Sequence, residues 1–166
     1  MNGIEVRRVS AGDWREMKRV RLAALATDRL AFGSTLAAES AFGDDVWIDR
    51  ARVSATSADR ATWVAVAADG RMVGMMGAHI EGLVAKLFGS WVDPAARGAG
   101  VGGRLLDAVV GWVEAAHPEM PIALSVNPAF AAAVRLYESR AFVFTGAWET
   151  IEHAPEARCD TMIRRR

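Results

Sequence analysis

Apolar and polar residues alternate over 4–9, which predicts an opening strand. Over 13–25 the period lengthens. Trp14, Met17, Val20 and Leu25 recur at helical spacing, and Asp13 stands where a cap belongs. Residues 28–43 keep no period and read as a loop with one helical turn. Positions 44–54 predict a second helix, with Val46, Trp47, Ile48 and Val53 as its apolar positions. The period then becomes two. Segments 61–67 and 71–80 read as strands joined by the tight-turn pair Asp69-Gly70. Glu81-Gly82 turns the chain into a strand over 83–92. Pro94 stops that strand because it has no amide proton for a ladder.

From Gly103 the helical period returns, with Leu105, Leu106, Val109, Val110 and Val113 on one stripe. His117-Pro118 ends it. Residues 122–126 alternate and predict a strand. Asn127-Pro128 reads as a helix start, with asparagine as cap and proline in the first turn, and this helix runs to about Ser139. Segments 142–151 and 159–163 read as two closing strands. The order is β-α-α-β-β-β-α-β-α-β-β. It predicts an α/β (α+β) domain spanning 1–166, with a mixed, mostly antiparallel sheet of about seven strands and about four helices.

Composition narrows the class. The chain has 166 residues, with 20 basic against 20 acidic side chains. That balance gives no reason to expect a nucleic-acid or membrane partner. The one basic run, Arg164-Arg165-Arg166, reads as a solvated tail. A single cysteine, Cys159, excludes an intramolecular disulfide framework and a cysteine metal cluster. His117 and His153 read as surface positions, and no spacing suggests a metal site. The first residues, MNGIEVRRVS, lack the apolar core of a signal peptide, and no apolar run reaches membrane-spanning length. A soluble cytoplasmic protein is expected.

The stretch RGAGVGG, 97–103, contains G-x-G-x-x-G at Gly98, Gly100 and Gly103. A dinucleotide fold places that fingerprint directly after its first strand. Here nearly a hundred residues precede it, and Asp93 to Arg97 intervene after the strand. The strand after the helix ends at Asn127 rather than at a ribose-binding acid. The same physics serves another diphosphate ligand. Glycines admit close backbone approach, and a helix N-terminus presents convergent amides and a positive dipole end.

Arg97-Gly98-Ala99-Gly100-Val101-Gly102 resembles the Q/R-x-x-G-x-G/A motif of the GNAT superfamily, the Gcn5-related N-acetyltransferases. LFGSWVDPAARGAGVGGRLLDAVVGWV is similar to the family's fourth strand, pyrophosphate loop and third helix. LSVNPAFAAAVRLYESRAF resembles its fifth strand and fourth helix, and RLAFGSTLAAES the segment between its first two helices. The resemblance implies the GNAT fold with acetyl-CoA as cosubstrate. It places Arg97, Gly98, Ala99, Gly100, Val101, Gly102 and Gly103 on the pyrophosphate. It places the backbone of Trp91 and Val92 along the pantetheine arm. It implies direct attack of a primary amine on the thioester, with Tyr137, the only tyrosine, protonating the departing thiolate.

Three positions depart from the family. Phe130 stands where many members have an asparagine on the pantetheine. Asn127, one turn earlier, is the substitute, with helix capping as its simpler role. Lys86 stands where some members have a glutamate base. Ala141 replaces a glycine common after the helix. Phe32, Ser34, Glu39 and Glu81 lie where acceptors bind in the family. Glu81, His79, Glu39, Ser34 or a water chain are the open choices for taking the amine's proton. Trp47 or Trp91 is a candidate wall for an acceptor pocket. The expected activity is N-acetylation of a small-molecule amine, with dimers common in the family. Acetylation of a protein N-terminus or lysine, and a non-catalytic acyl-CoA sensor, are the alternatives.

Overall fold

Backbone amides and side chains of residues 3–165 are described by the computed structural model, which leaves Met1, Asn2 and Arg166 outside it. Seven strands form one sheet: β1 (Glu5–Arg8), β2 (Arg60–Val66), β3 (Met72–Glu81), β4 (Val84–Val92), β5 (Ile122–Val126), β6 (Val143–Ile151) and β7 (Ala154–Arg164). Their spatial order is β1-β2-β3-β4-β5-β7-β6. Only the β4–β5 pair is parallel. The helices are α1 (Trp14–Thr27), α2 (Leu36–Ser40), α3 (Asp44–Thr56), α4 (Val101–Ala116) and α5 (Ala131–Glu138).

Alternation along the strands divides the core between the two faces. Ala65 and Met76 point to the cluster under α4, while their neighbours Val64 and Met75 point to the cluster under α1 and α3. The predicted stripe on α4 is fully used: Leu105, Leu106, Val109 and Val113 have no exposed surface. Each such side chain contributes roughly 1.5–3 kcal/mol of transfer free energy.

Three boundaries differ from the sequence expectation and one element matches it. The one helical turn foreseen in 28–43 is α2, whose Thr35 hydroxyl caps the Ala38 amide at 3.1 Å. Helix α4 starts at Val101 rather than Gly103, because Gly100 takes the left-handed φ of +77° and serves as N-cap. Helix α5 starts at Ala131 rather than after Asn127-Pro128. Asn127 Oδ1 accepts from the Ala129 amide at 3.0 Å, closing a separate turn, and Phe130 becomes the N-cap. Strand β7 begins at Ala154, five residues before Cys159, because the turn Glu152-His153 carries no glycine to mark it. The basic run is not a free tail. Arg164 belongs to β7, donates to the Arg140 carbonyl at 3.0 Å and pairs with Glu114. Arg166 lies outside the described residues. Among the described residues no helix is long and apolar enough to cross a membrane.

One irregularity positions the site. Met75 pairs with Trp91 and Gly77 with Phe88, so Met76 alone faces both Gly89 and Ser90. This is a bulge in β4, and Gly89 holds it with φ of +65°. A side chain there would add about 1–2 kcal/mol of strain. Bulges bend a strand and sharpen its twist. Accordingly β4 and β5 pair only at Ala85–Ile122 and Lys86–Ala123, then part.

Candidate active site

The parting strands enclose a cleft of about 470 Å³. Gly98, Gly100, Val101, Gly102 and Gly103 border one end of it, as does Arg97, while Ala99 does not. The first amides of a helix have no partner inside it. Here the Arg104 amide is bonded to the Gly100 carbonyl at 3.1 Å, and no side chain caps the end. The preceding amides lie at the positive end of the dipole on residues that border the cleft, which suits a diphosphate. A Cβ on Gly102 would lie 3.3 Å from Leu136 Cδ2, so the glycine sets how closely α4 approaches α5.

Beyond Lys86 the edge of β4 that faced β5 is unpaired. It offers amides and carbonyls to an extended arm, as a neighbouring strand would. Trp91 and Val92 border the cleft there. Arg97 folds back over this edge. Its Nε donates to the Val92 carbonyl at 2.9 Å and its Nη2 to Asp28 Oδ2 at 2.5 Å. Asp28 Oδ2 also accepts from the Trp91 indole at 2.9 Å.

Tyr137 comes from the last turn of α5 and is only 6 % exposed, yet it borders the cleft. Its ring meets Phe142 edge-on at 5.9 Å. Burial pushes its phenol above the ordinary tyrosine value, and the hydrogen bond with the Ser90 hydroxyl opposes that rise. Ser90 is one of the two bulge residues, so the irregularity in β4 delivers the partner of Tyr137. A neutral phenol held there has a proton it can give. Asn127 is buried in the same wall, but its amide is engaged: Oδ1 with Ala129 and Nδ2 with the Leu30 carbonyl at 3.4 Å. Phe130 presents an apolar surface to the cleft.

The four positions expected near the acceptor separate. Glu39 borders a second, smaller cavity of about 120 Å³. Its burial resists ionisation, but hydrogen bonds and charge from Arg21 and Arg50 prevail and hold its carboxyl below the usual range. Phe32 is buried beneath the Arg21 guanidinium, 4.7 Å from the ring centre, and its carbonyl faces His153 Nε2 at 2.8 Å. Ser34 is half-buried and borders neither cavity. Glu81 is exposed at the end of β3, paired with Lys86 at 2.7 Å and facing His79 at 3.4 Å. Neither Glu81 nor Lys86 borders either cavity. Of the two tryptophan candidates, Trp91 borders the cleft and Trp47 the smaller cavity. Sequence reasoning missed Asp28, Ser90 and the arginines of the second cavity. No local pattern joins residue 28 to residue 97, or 21 and 50 to 60.

The residues 25–142 match the family model described as Acetyltransferase (GNAT) family. No curated protein matches the chain. Among solved structures, a GNAT-family acetyltransferase from Streptococcus pneumoniae superposes with a TM-score of 0.82 at 20% identity, covering 98% of this chain and 99% of that one. YncA from Salmonella typhimurium, solved with its cofactor acetyl-CoA, gives 0.77 at 15% identity over 98% and 94%. A phosphinothricin acetyltransferase from Sinorhizobium meliloti, in complex with acetyl-CoA, gives 0.78 at 18% over 98% and 88%. These likenesses share the seven-strand fold. The matched span covers well over half of the chain, and the protein belongs to the GNAT acetyltransferase family, whose cosubstrate is acetyl-CoA.

Proposed function

We propose that this protein transfers the acetyl group of acetyl-CoA to a primary amine of a small molecule, by direct attack. The observation that carries the reading is Tyr137, a buried phenol bonded to Ser90 where β4 leaves β5. Acetyl-CoA supplies an acetyl group activated as a thioester. The amides of 98–103 bind its diphosphate, and Arg97 adds charge at the entrance. The free edge of β4 at Trp91 and Val92 orients the pantetheine arm. The amine nitrogen forms the new bond to the carbonyl carbon as the carbon–sulfur bond breaks. Tyr137 Oη gives its proton to the departing sulfur. The proton lost by the amine leaves through water, because Glu81 and His79 lie away from the cleft walls and Glu39 is held by two arginines.

The test is thiol release across a panel of amines. Turnover by wild type, lost in Tyr137→Phe while acetyl-CoA still binds, supports transfer. Tight binding with no thiol released from any amine favours a sensor, the reading that Phe130 and Lys86 keep open. Turnover only with peptides would place the acceptor in proteins. The expected homodimer finds support in edge strand β6, where Val143, Phe144 and Trp148 are 61, 43 and 56 % exposed. Light scattering should give twice the chain mass, and Trp148→Glu should restore the single mass.

A further inference from the structure

The second cavity lies between α1, α3 and the sheet, and it meets the cleft at Phe88 and Gly89, which border both. Its chemistry is unlike that of an apolar core. Three guanidiniums, of Arg21, Arg50 and Arg60, share it with one carboxylate, Glu39. Glu39 engages Arg21 at 2.8 Å and Arg50 at 2.9 Å. Arg60 makes no ion pair among the described residues; its guanidinium lies over the Phe88 ring at 4.3 Å. Burial, and then the positive charge of Arg50, hold Arg60 below the ordinary arginine value. Excess buried positive charge without a counter-ion is unfavourable.

A second observation points the same way. Trp47, 1 % exposed, borders this cavity, and its buried indole N–H has no acceptor among the described residues. An unmet buried donor costs about 1–3 kcal/mol. The hydroxyls of Ser54 and Thr62, bonded to each other at 3.2 Å, complete a polar wall. The cavity holds a few atoms rather than a chain. Phe88 is fixed as its partition: its ring lies against Gly77, where a Cβ would come within 2.4 Å.

We propose that this cavity receives a compact oxyanion carried by the acceptor, so that the substrate is a short amino acid or aminophosphonate rather than a plain amine. Arg60 and the Trp47 N–H hold the anion. Gly89, without a side chain, leaves the way open for the amine to reach Ser90 and the cleft. The amine's fate rests on the transfer reading above; the anion site does not.

Two measurements test this. Thiol release is compared for glycine, methionine, phenylalanine and 2-aminoethylphosphonate, each against the amine lacking its acid group. Calorimetry then measures binding of the same acids to the protein saturated with coenzyme A. The acids should exceed their plain amines by at least about tenfold in kcat/KM, and Arg60→Met should abolish that preference while leaving plain amines within about threefold. The stronger of the carboxylate and phosphonate arms identifies the oxyanion. Trp47→Phe keeps the aromatic volume and should weaken acid binding about tenfold, a check that stands if Arg60→Met misfolds. Plain amines turned over as well as acids, or acid binding unchanged in both variants, would overturn the anion site and leave transfer intact. Acids bound through Arg60 with no thiol released would uphold the site and remove transfer.

Discussion

Asp28 and Arg97 are joined at 2.5 Å across the mouth of the cleft, although 69 residues separate them in the chain. The same carboxylate oxygen takes the Trp91 indole. A negative charge thus stands beside the loop that would carry a diphosphate, and it competes for the loop's one cation. Asp28→Asn keeps an acceptor for Trp91 and removes the competing charge. Acetyl-CoA should then bind several-fold tighter, with a steeper salt dependence. Arg97→Ala should weaken binding by about tenfold, the scale of one charge-assisted contact. Titration calorimetry at two salt concentrations reads both.

On the proposed mechanism Tyr137, as the proton donor, sets the alkaline limit of activity. Its acid form is the working form, and burial raises its pKa above 10.0. The fall of kcat on the alkaline side should therefore begin above pH 10, not below it. Tyr137→Phe should lower kcat by about 10²–10³ and flatten that limb, while the affinity for acetyl-CoA holds. A wild-type limb that begins near pH 8 would assign the proton to another group.

Ala141 carries a left-handed φ of +65° three residues beyond the end of α5. A Cβ in that region costs about 1–2 kcal/mol, partly returned by the lower entropy of alanine in the unfolded chain. Ala141→Gly should stabilise the fold by about 0.5–1 kcal/mol and raise Tm by about 2–4 °C. Scanning calorimetry is the check, and an unchanged or lower Tm would show that the strain is absorbed elsewhere.

Acid should loosen the N-terminal turn first. The Arg7 guanidinium, 2.7 Å away, holds the Asp13 carboxyl at about 2 against an ordinary 3.8. A depressed folded pKa contributes stability above the unfolded value, and that contribution fades as pH falls from 3.8 to about 2. Asp13→Asn should cost about 1 kcal/mol at neutral pH and only a small part of that near pH 2. Urea melts at the two pH values distinguish these outcomes.

Local pattern revealed what local physics determines. The α4 stripe, the hairpin at Asp69-Gly70 and the glycine loop were all legible, because period, turn chemistry and caps act over a few residues. Tyr137 stood out in the sequence as the only tyrosine, in the Leu-Tyr-Glu segment, and the fold sets it on the wall of the cleft. The bulge at Gly89-Ser90 was not, since it exists only as a mismatch between two strands. The arginine cavity was not either. Arg21, Arg50 and Arg60 look like ordinary solvated charges until α1, α3 and β2 bring them around one cavity, where only the first two find Glu39. Glu39 and Glu81 both suited a proton acceptor by position. Folding gives one of them two arginine partners and leaves the other on the surface with Lys86.

The brief contact between β4 and β5 bears on the life of the protein without its donor. Two registered pairs are a short zip, and the rest of that seam offers bare strand edges. Such edges template association between chains. On the proposed mode of binding, an extended ligand would close the seam from within, so storage with coenzyme A should keep the protein dispersed.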